Sequence, residues 1–199
     1  MRLVTGILGI IFLLSVSMTA NAISLINKEV ILVAQGYGIK RSQVPLTEFL
    51  QPWIVYEEQA TVINATTERA YLYTPFLLLA NDARDKARSK QQIEFSSSEK
   101  ILVDYAGCIV FSIVVNGKDE NFSDKVQVVI KQNNKIIRPY HAVINTPVKI
   151  PDSSALQFTA HFYNYFYERD IETGKPISLI VTTKDKQERR FYFELAKFK

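Results

Sequence analysis

Two histidines, His141 and His161, are the only imidazole groups in this chain of 199 residues. Histidine is the commonest general base and a frequent metal ligand. Hydrolysis needs in addition a nucleophile and an orienting acid, and a metal site needs carboxylate or thiolate partners, which no local spacing supplies. We therefore expect two ordinary histidines, and the sequence predicts no metal site and no cofactor. A hydrolase built on His141 and His161 stays open as an alternative.

The single cysteine, Cys108, excludes an intramolecular disulfide framework. It lies in the apolar run of residues 107–115, where a small buried thiol is the usual case. A nucleophilic cysteine prefers an electropositive and partly exposed setting, which this run does not offer. We predict that Cys108 is buried and chemically quiet.

An aromatic segment at residues 155–167 alternates with a period of two, which indicates a β-strand. Three rings and an imidazole share one face: His161, Tyr163, Tyr165 and Tyr167. Phenylalanines share the other: Phe158, Phe162 and Phe166. Rigid rings with polar tips are typical of binding surfaces and of sugar-stacking platforms. These four residues are the candidate binding site, unless a helix or a second sheet covers them as core.

The rest of the chain must supply a second layer over the apolar face of this strand. Runs of β-branched and aromatic residues between turn signals predict further strands. Their ranges are 29–34, 53–63, 69–74, 108–115, 126–132, 135–138, an edge strand at 141–146, and a hairpin of 177–183 with 190–198.

One helix is predicted over residues 75–92, because Thr74 is a good N-cap and Pro75 suits the first helical position. Apolar residues recur at three- and four-residue steps: Phe76, Leu79, Ala80, Ala83 and Ala87. Its basic second half is expected to be solvated: Arg84, Lys86, Arg88 and Lys90. Residues 96–99 predict the start of a second, short helix.

Together these elements predict a mainly β chain, with an immunoglobulin-like antiparallel β-sandwich over residues 102–198. The N-terminal strands and the amphipathic helix pack onto it, and residues 23–199 form one domain. The alternative is an α+β fold with the helix on one face of an antiparallel sheet.

The N-terminus has the three-part layout of a secretory signal peptide. Arg2 precedes an uncharged, mostly apolar run from Leu3 to Val16, and small residues at Ala20 and Ala22 suit a signal peptidase. We predict removal of residues 1–22 and export to the periplasm, the cell surface or the extracellular space, with no transmembrane segment left. An uncleaved anchor is the alternative.

A formal charge of +4 without clustered Lys and Arg does not favour nucleic acid. The sequence therefore predicts an exported, non-catalytic module that binds a protein, glycan or cell-surface component at the envelope. The alternative is a structural or assembly subunit that pairs through exposed strand edges.

Overall fold

The computed structural model describes residues 28–151, 157–184 and 187–198. The predicted signal peptide and cleavage point lie outside the described residues. Four α-helices occur in the described part of the chain: α1 (Lys28–Lys40), α2 (Leu46–Phe49), α3 (Pro75–Arg88) and α4 (Phe95–Asp104). The sequence predicted a mainly β chain with one principal helix and a second, short one. The described fold is rich in sheet, but its four helices make it mixed.

The predicted strand at residues 29–34 is instead the first half of α1. Its two glycines do not end the element. A Cβ at Gly38 would collide with the backbone carbonyl of Ala80, so Gly38 allows α1 and α3 to approach closely. The short apolar run carries a helix because α1 buries one face on α3, an interaction that local alternation does not reveal.

Within the described residues, ten strands form two antiparallel sheets. The first seven are β1 (Ile54–Tyr56), β2 (Arg69–Tyr73), β3 (Cys108–Gly117), β4 (Gln127–Gln132), β5 (Lys135–Ile137), β6 (His141–Ile144) and β7 (Val148–Lys149). The last three are β8 (Phe158–Tyr167), β9 (Ile177–Thr182) and β10 (Glu188–Phe193). Sheet A has the order β1-β2-β3-β8-β6 with β7 also on β8, and sheet B has the order β10-β9-β4-β5. There is no closed barrel among these strands.

Most of the predicted strands are present, and the pairing of the hairpins β1–β2 and β9–β10 and the edge position of β6 agree with the prediction. Strand β10 ends at Phe193 rather than at residue 198, because a 3₁₀ turn follows it. The strand predicted at residues 53–63 is much shorter than expected, because only Ile54–Tyr56 pairs with β2. The three C-terminal strands divide between the sheets, since β8 lies in sheet A and the hairpin β9–β10 lies in sheet B.

The inner faces of the two sheets share one buried apolar cluster. Strand β8 contributes Ala160, Phe162 and Phe166 to this cluster. The ring of Phe111 in β3 lies 5.8 Å from the ring of Phe166 in sheet A and 5.0 Å from the ring of Phe193 in sheet B. The phenylalanine face of β8 is therefore core, as the alternation predicts.

The helices form a third layer on the outer face of sheet A. A second apolar cluster joins α1, α2 and α3 to Trp53 and to Tyr71 of β2. Trp53 stacks on Phe76 at 6.1 Å, which ties the start of β1 to α3. Sheet A therefore has sheet B on one side and helices on part of the other.

Helix α3 confirms the predicted start, since Thr74 Oγ1 accepts a hydrogen bond from Leu77 N–H at 3.2 Å. It ends at Arg88 rather than at residue 92. Arg84 is buried, not solvated, and donates a hydrogen bond to the carbonyl of Val44 at 2.9 Å.

The predicted serine N-cap of α4 is wrong. The N-cap residue is Glu94, and its side chain makes no capping hydrogen bond.

Candidate functional site

The candidate site lies on the outer face of sheet A, where the helical layer ends. Register places His141 of β6 opposite Tyr165 of β8, so these side chains share one face. Tyr140 precedes β6, and its N–H donates to the carbonyl of Tyr165 at 2.9 Å. We call the following set the tyrosine surface: Tyr140, His141, His161, Tyr163, Tyr165 and Tyr167.

Exposure on this face is lowest beneath the helices and highest at the C-terminal end of β8. Tyr71 of β2 is buried beneath the helical cluster, and Tyr163 and Tyr165 are half-buried. Tyr167 is 43% exposed. The rings predicted from alternation are therefore neither core nor fully open, because the helical layer covers β2 and leaves β8 and β6 in partial contact with solvent.

Tyr163 is held from two sides. Its ring meets Tyr73 of β2 edge-on at 6.3 Å, and the imidazole of His161 lies 4.6 Å away. Burial raises the pKa of both Tyr163 and Tyr73, so both phenols are neutral at physiological pH. The tyrosine side chains at this end of the surface are therefore uncharged.

Tyr165 is the centre of the tyrosine surface. The ring of Tyr105, which follows α4, stacks on it at 6.5 Å. Tyr140 and His141 lie 6.4 and 5.2 Å away. Burial raises the pKa of Tyr165 as well. Strands β8 and β6 and the end of α4 thus converge on one ring.

Tyr140 and Tyr167 stack face to face with a centroid distance of 4.2 Å, and the guanidinium of Arg169 covers Tyr167 at 4.5 Å. The Tyr140 hydroxyl donates to Cys108 Sγ at 3.1 Å. This hydrogen bond, followed by burial, raises the pKa of Tyr140 to about 12. The prediction of a buried Cys108 was wrong, since the residue is half-buried at the margin of the tyrosine surface.

The thiol of Cys108 is nevertheless poorly activated. Burial raises its pKa, with the hydrogen bond from Tyr140 acting in the opposite direction. Because the thiolate is the nucleophilic form, a raised pKa leaves little reactive species at neutral pH. The predicted quiet chemistry of this residue remains a prediction.

His161 is joined to Ser112 of β3 by a hydrogen bond of 2.6 Å between Nε2 and Oγ. Burial and then the charge of Arg69 lower the pKa of His161, which favours neutral imidazole. A serine paired with a histidine is the nucleophile and base of many hydrolases. Ser112, however, lies beneath the ring layer at 1% exposure, where a substrate carbonyl cannot reach it.

The structure does not bring the two histidines together. His141 lies opposite Tyr165, whereas the position opposite His161 is Asn145, whose N–H donates to the His161 carbonyl at 3.0 Å. The separation of four residues along β8 is about 13 Å. In the part of the chain that is described, no group of three or more His, Cys, Asp or Glu side chains is arranged to hold a metal ion.

Sequence reasoning missed three contributors to this site: Tyr73, Tyr105 and Ser112. Tyr73 sits in a predicted strand, but the pairing of β2 with β3 and of β3 with β8 was needed to place it near Tyr163. Tyr140 and His141 had a usable signal, since His141 begins the strand predicted as an edge and Tyr140 directly precedes it.

A separate cavity of about 620 Å³ opens between the loop after β1 and the start of β10. Its buried centre is an ion pair in which Arg189 Nε lies 3.1 Å from Glu68 Oε1. Arg189 also donates to the Asn116 carbonyl at 2.9 Å, and Glu68 accepts from Asn116 N–H at 2.8 Å. This network fastens the loop to both sheets, so its evident role is structural.

Comparison with models of known protein families gives no match, and neither does comparison with curated protein sequences. Among the helices of residues 28–198, outside the two gaps, none has the length and apolar character to cross a bilayer.

Proposed function

We propose that this protein is an exported, non-catalytic binding module whose ligand lies on the tyrosine surface. The observation that carries the proposal is the set of half-open rings around Tyr165, which the helical layer covers only in part. Half-exposed tyrosines give rigid contact area with hydroxyl tips at a small loss of side-chain entropy.

The charge state of this surface limits the chemical classes of ligand that it can bind. Tyr163 and Tyr165 have raised pKa values and the pKa of His161 is lowered, so the central residues are neutral near pH 7. Two cations lie nearby, Arg169 at the Tyr167 end and Arg69 close enough to His161 to lower the pKa of that residue. A ligand that presents apolar ridges and hydroxyl or amide groups fits better than a strongly charged one. A protein segment or a glycan at the cell envelope has that chemistry.

The proposal is tested by affinity capture from envelope and culture fractions of the native host, together with a glycan array. The bait is the exported protein, compared with the double variant Tyr163→Ala, Tyr165→Ala and with Tyr167→Ala alone. The matched control is Tyr192→Ala, because Tyr192 is equally exposed at 46% but belongs to β10 of sheet B.

We expect one ligand to be recovered with the wild type and the control, and to be lost with both tyrosine-surface variants. Circular dichroism checks that each bait is folded. If the double variant is unfolded, Tyr167→Ala alone tests the tyrosine surface. A ligand recovered equally by all four baits contradicts the proposal, and so does a wild-type bait that recovers none.

A second candidate function is assembly by strand addition at β6. All four residues of β6 are exposed, none is a lysine, arginine, aspartate or glutamate, and β6 ends sheet A. Because Asn145 N–H bonds back to β8, the alternation of antiparallel pairs turns the N–H groups of Ala142 and Ile144 outward. Uncharged open edges are the usual sites at which another chain pairs.

This second candidate is tested with Ile144→Lys, which places a charge on the edge without changing a ring. Sedimentation velocity and partner recovery are the measurements. Assembly through the edge predicts a loss of the larger species in Ile144→Lys and no loss in Tyr167→Ala. The reverse pattern favours binding by the tyrosine surface.

The immunoglobulin-like sandwich is likewise a proposal about the arrangement of the strands. It is supported by the buried cluster between two antiparallel sheets, one of which contains the hairpin β9–β10. A hydrolase that uses His141 and His161 is not proposed, because the two imidazoles are separated along β8.

A further inference from the structure

A second exposed surface lies on helix α1, apart from the residues of the tyrosine surface. Helix α1 buries one face, formed by Ile31, Ala34, Gln35 and Gly38. Its opposite face exposes aliphatic side chains, with Leu32 at 52% and Val33 at 57%, and Ile39 one turn further on. This apolar face is unusual for a helix that is packed into a fold.

No described residue fills the centre of this face. Gly36 lies between Val33 and Ile39, and a Cβ built at Gly36 would meet nothing within 4 Å. Leu32, Val33, Gly36 and Ile39 therefore form a shallow strip that no described residue covers. We call these four residues the α1 strip.

The exposed charges on α1 are two lysines and one glutamate, an excess of one positive charge. Lys28 and Lys40 are exposed at the two ends of the helix, and Glu29 is the exposed acid on it. The whole chain carries a formal charge of +4. An apolar strip bordered by lysines suits the interface of a bilayer that contains anionic lipids.

The chain that precedes α1 supports the same partner. The first 27 residues lie outside the described part and directly precede Lys28. If the predicted cleavage occurs, five residues remain before the helix, and three of them are aliphatic: Ile23, Leu25 and Ile26. Apolar sequence therefore continues up to the α1 strip, on a protein predicted to cross a membrane during export.

We propose that the α1 strip docks the exported protein onto an anionic lipid bilayer without spanning it. Leu32, Val33 and Ile39 enter the region between headgroups and acyl chains, while Lys28 and Lys40 stay at the headgroups. A second copy of the chain fits less well, since three aliphatic side chains fall far short of the roughly 800 Å² per partner that a stable protein interface buries.

The first measurement is flotation with lipid vesicles of the exported protein, whose N-terminus is defined by intact mass. Vesicles of phosphatidylcholine alone are compared with vesicles that also contain phosphatidylglycerol. The variant is Leu32→Gln, Val33→Gln. The matched control is Ile136→Gln, because Ile136 is an aliphatic residue at 62% exposure on β5 of sheet B, away from the helices.

We expect the wild type to float with the anionic vesicles and to bind less at high salt, because screening weakens the lysine contribution. The α1 variant should bind at least about tenfold more weakly, since it removes aliphatic contact with the acyl region. The control should bind like the wild type. Unchanged melting temperatures exclude a folding defect, as all three side chains are exposed.

A second measurement locates the contact even if the N-terminal apolar run is retained. An environment-sensitive fluorophore is attached through Leu32→Cys in a Cys108→Ala background, and through Ile136→Cys as the control. Anionic vesicles should shift the emission to the blue at position 32 and not at position 136. Absence of vesicle binding, or equal binding by the α1 variant without a shift at position 32, overturns the proposal.

The same label distinguishes the other occupants. An emission already shifted to the blue without vesicles shows that residues 23–27 or a second copy cover the strip, which also overturns the proposal. Sedimentation velocity then separates these two cases, because only a second copy increases the mass.

Discussion

The two faces of β8 have the same backbone and a similar number of rings, yet they differ in cover. On the inner face, Phe162 and Phe166 are 0% exposed against sheet B. On the outer face, Tyr163 and Tyr165 are half-buried and Tyr167 is open. Alternation decides which face a ring joins, but the neighbouring layers decide whether that face is core or surface.

This difference has a physical origin in the two layers. Sheet B extends under β8, whereas the helices pack chiefly over β2 and β3 through Tyr71 and Val114. Replacing phenylalanine by tyrosine on the outer face gives each ring a hydroxyl that can stay in contact with water. The chemistry of the rings thus follows the solvent that each face meets.

The largest expected effect concerns the inner face. Phe162→Ala should lower the free energy of unfolding by about 3–5 kcal/mol, because it removes a fully buried ring and leaves a cavity. Urea denaturation provides the value. A loss below about 1 kcal/mol would show that the space between the sheets is not a packed core.

The outer face should respond less. Tyr163→Ala is expected to lower the free energy of unfolding by about 1–2 kcal/mol, because the half-buried ring loses its edge contact with Tyr73 and part of its burial. Tyr163→Phe serves as the control that keeps the ring. If Tyr163→Ala destabilises the protein as much as Phe162→Ala, the outer face is core and the comparison fails.

The two faces also differ in their response to pH, since only the outer face titrates. Burial lowers the pKa of His161. Its contribution to the free energy of unfolding is therefore complete above about pH 6.5 and is lost as the pH falls. Burial raises the pKa of Tyr73 and Tyr163. Their contribution to the free energy of unfolding is therefore complete below about pH 10 and is lost as the pH rises.

Thermal melting across pH should therefore show a plateau between these limits. Tyr73→Phe and Tyr163→Phe should reduce the alkaline loss, because a phenylalanine has no proton to release. The same alkaline loss in both variants and the wild type would place the responsible groups elsewhere.

The smallest effect is expected at Cys108. Cys108→Ala should change the free energy of unfolding by less than about 1 kcal/mol, since the side chain is small and half-buried. It should also lower the pKa of Tyr140 from about 12, because the hydrogen bond to Sγ is removed. Ultraviolet titration of tyrosine ionisation measures this change, and an unaltered titration curve would exclude that hydrogen bond.

Sequence patterns were sufficient where an element repeats with a clear period and has a local end signal. The alternation of β8, the Thr74 cap of α3 and the edge position of β6 could all be predicted. Each depends on residues within one element.

Sequence patterns were insufficient where contacts between distant parts of the chain determine the local structure. Residues 29–34 have no helical period, and α1 forms because it packs on α3 through Gly38. The sequence predicted that Arg84 is solvated. In the structure its guanidinium instead packs on the ring of Phe49, 5.1 Å from the ring centre. The candidate residues of β8 were identified from alternation, whereas Tyr105 joins them only through the path of α4.

The central claim is that a ligand occupies the tyrosine surface. Hydroxyl-radical footprinting of the protein, with and without the partner or glycan recovered by capture, tests this claim directly, because oxidation of each tyrosine is read by mass spectrometry. We predict that the ligand protects Tyr165 and Tyr167 and leaves Tyr192 of sheet B unprotected. Protection of Tyr192 with unchanged oxidation of Tyr165 and Tyr167 would contradict the account.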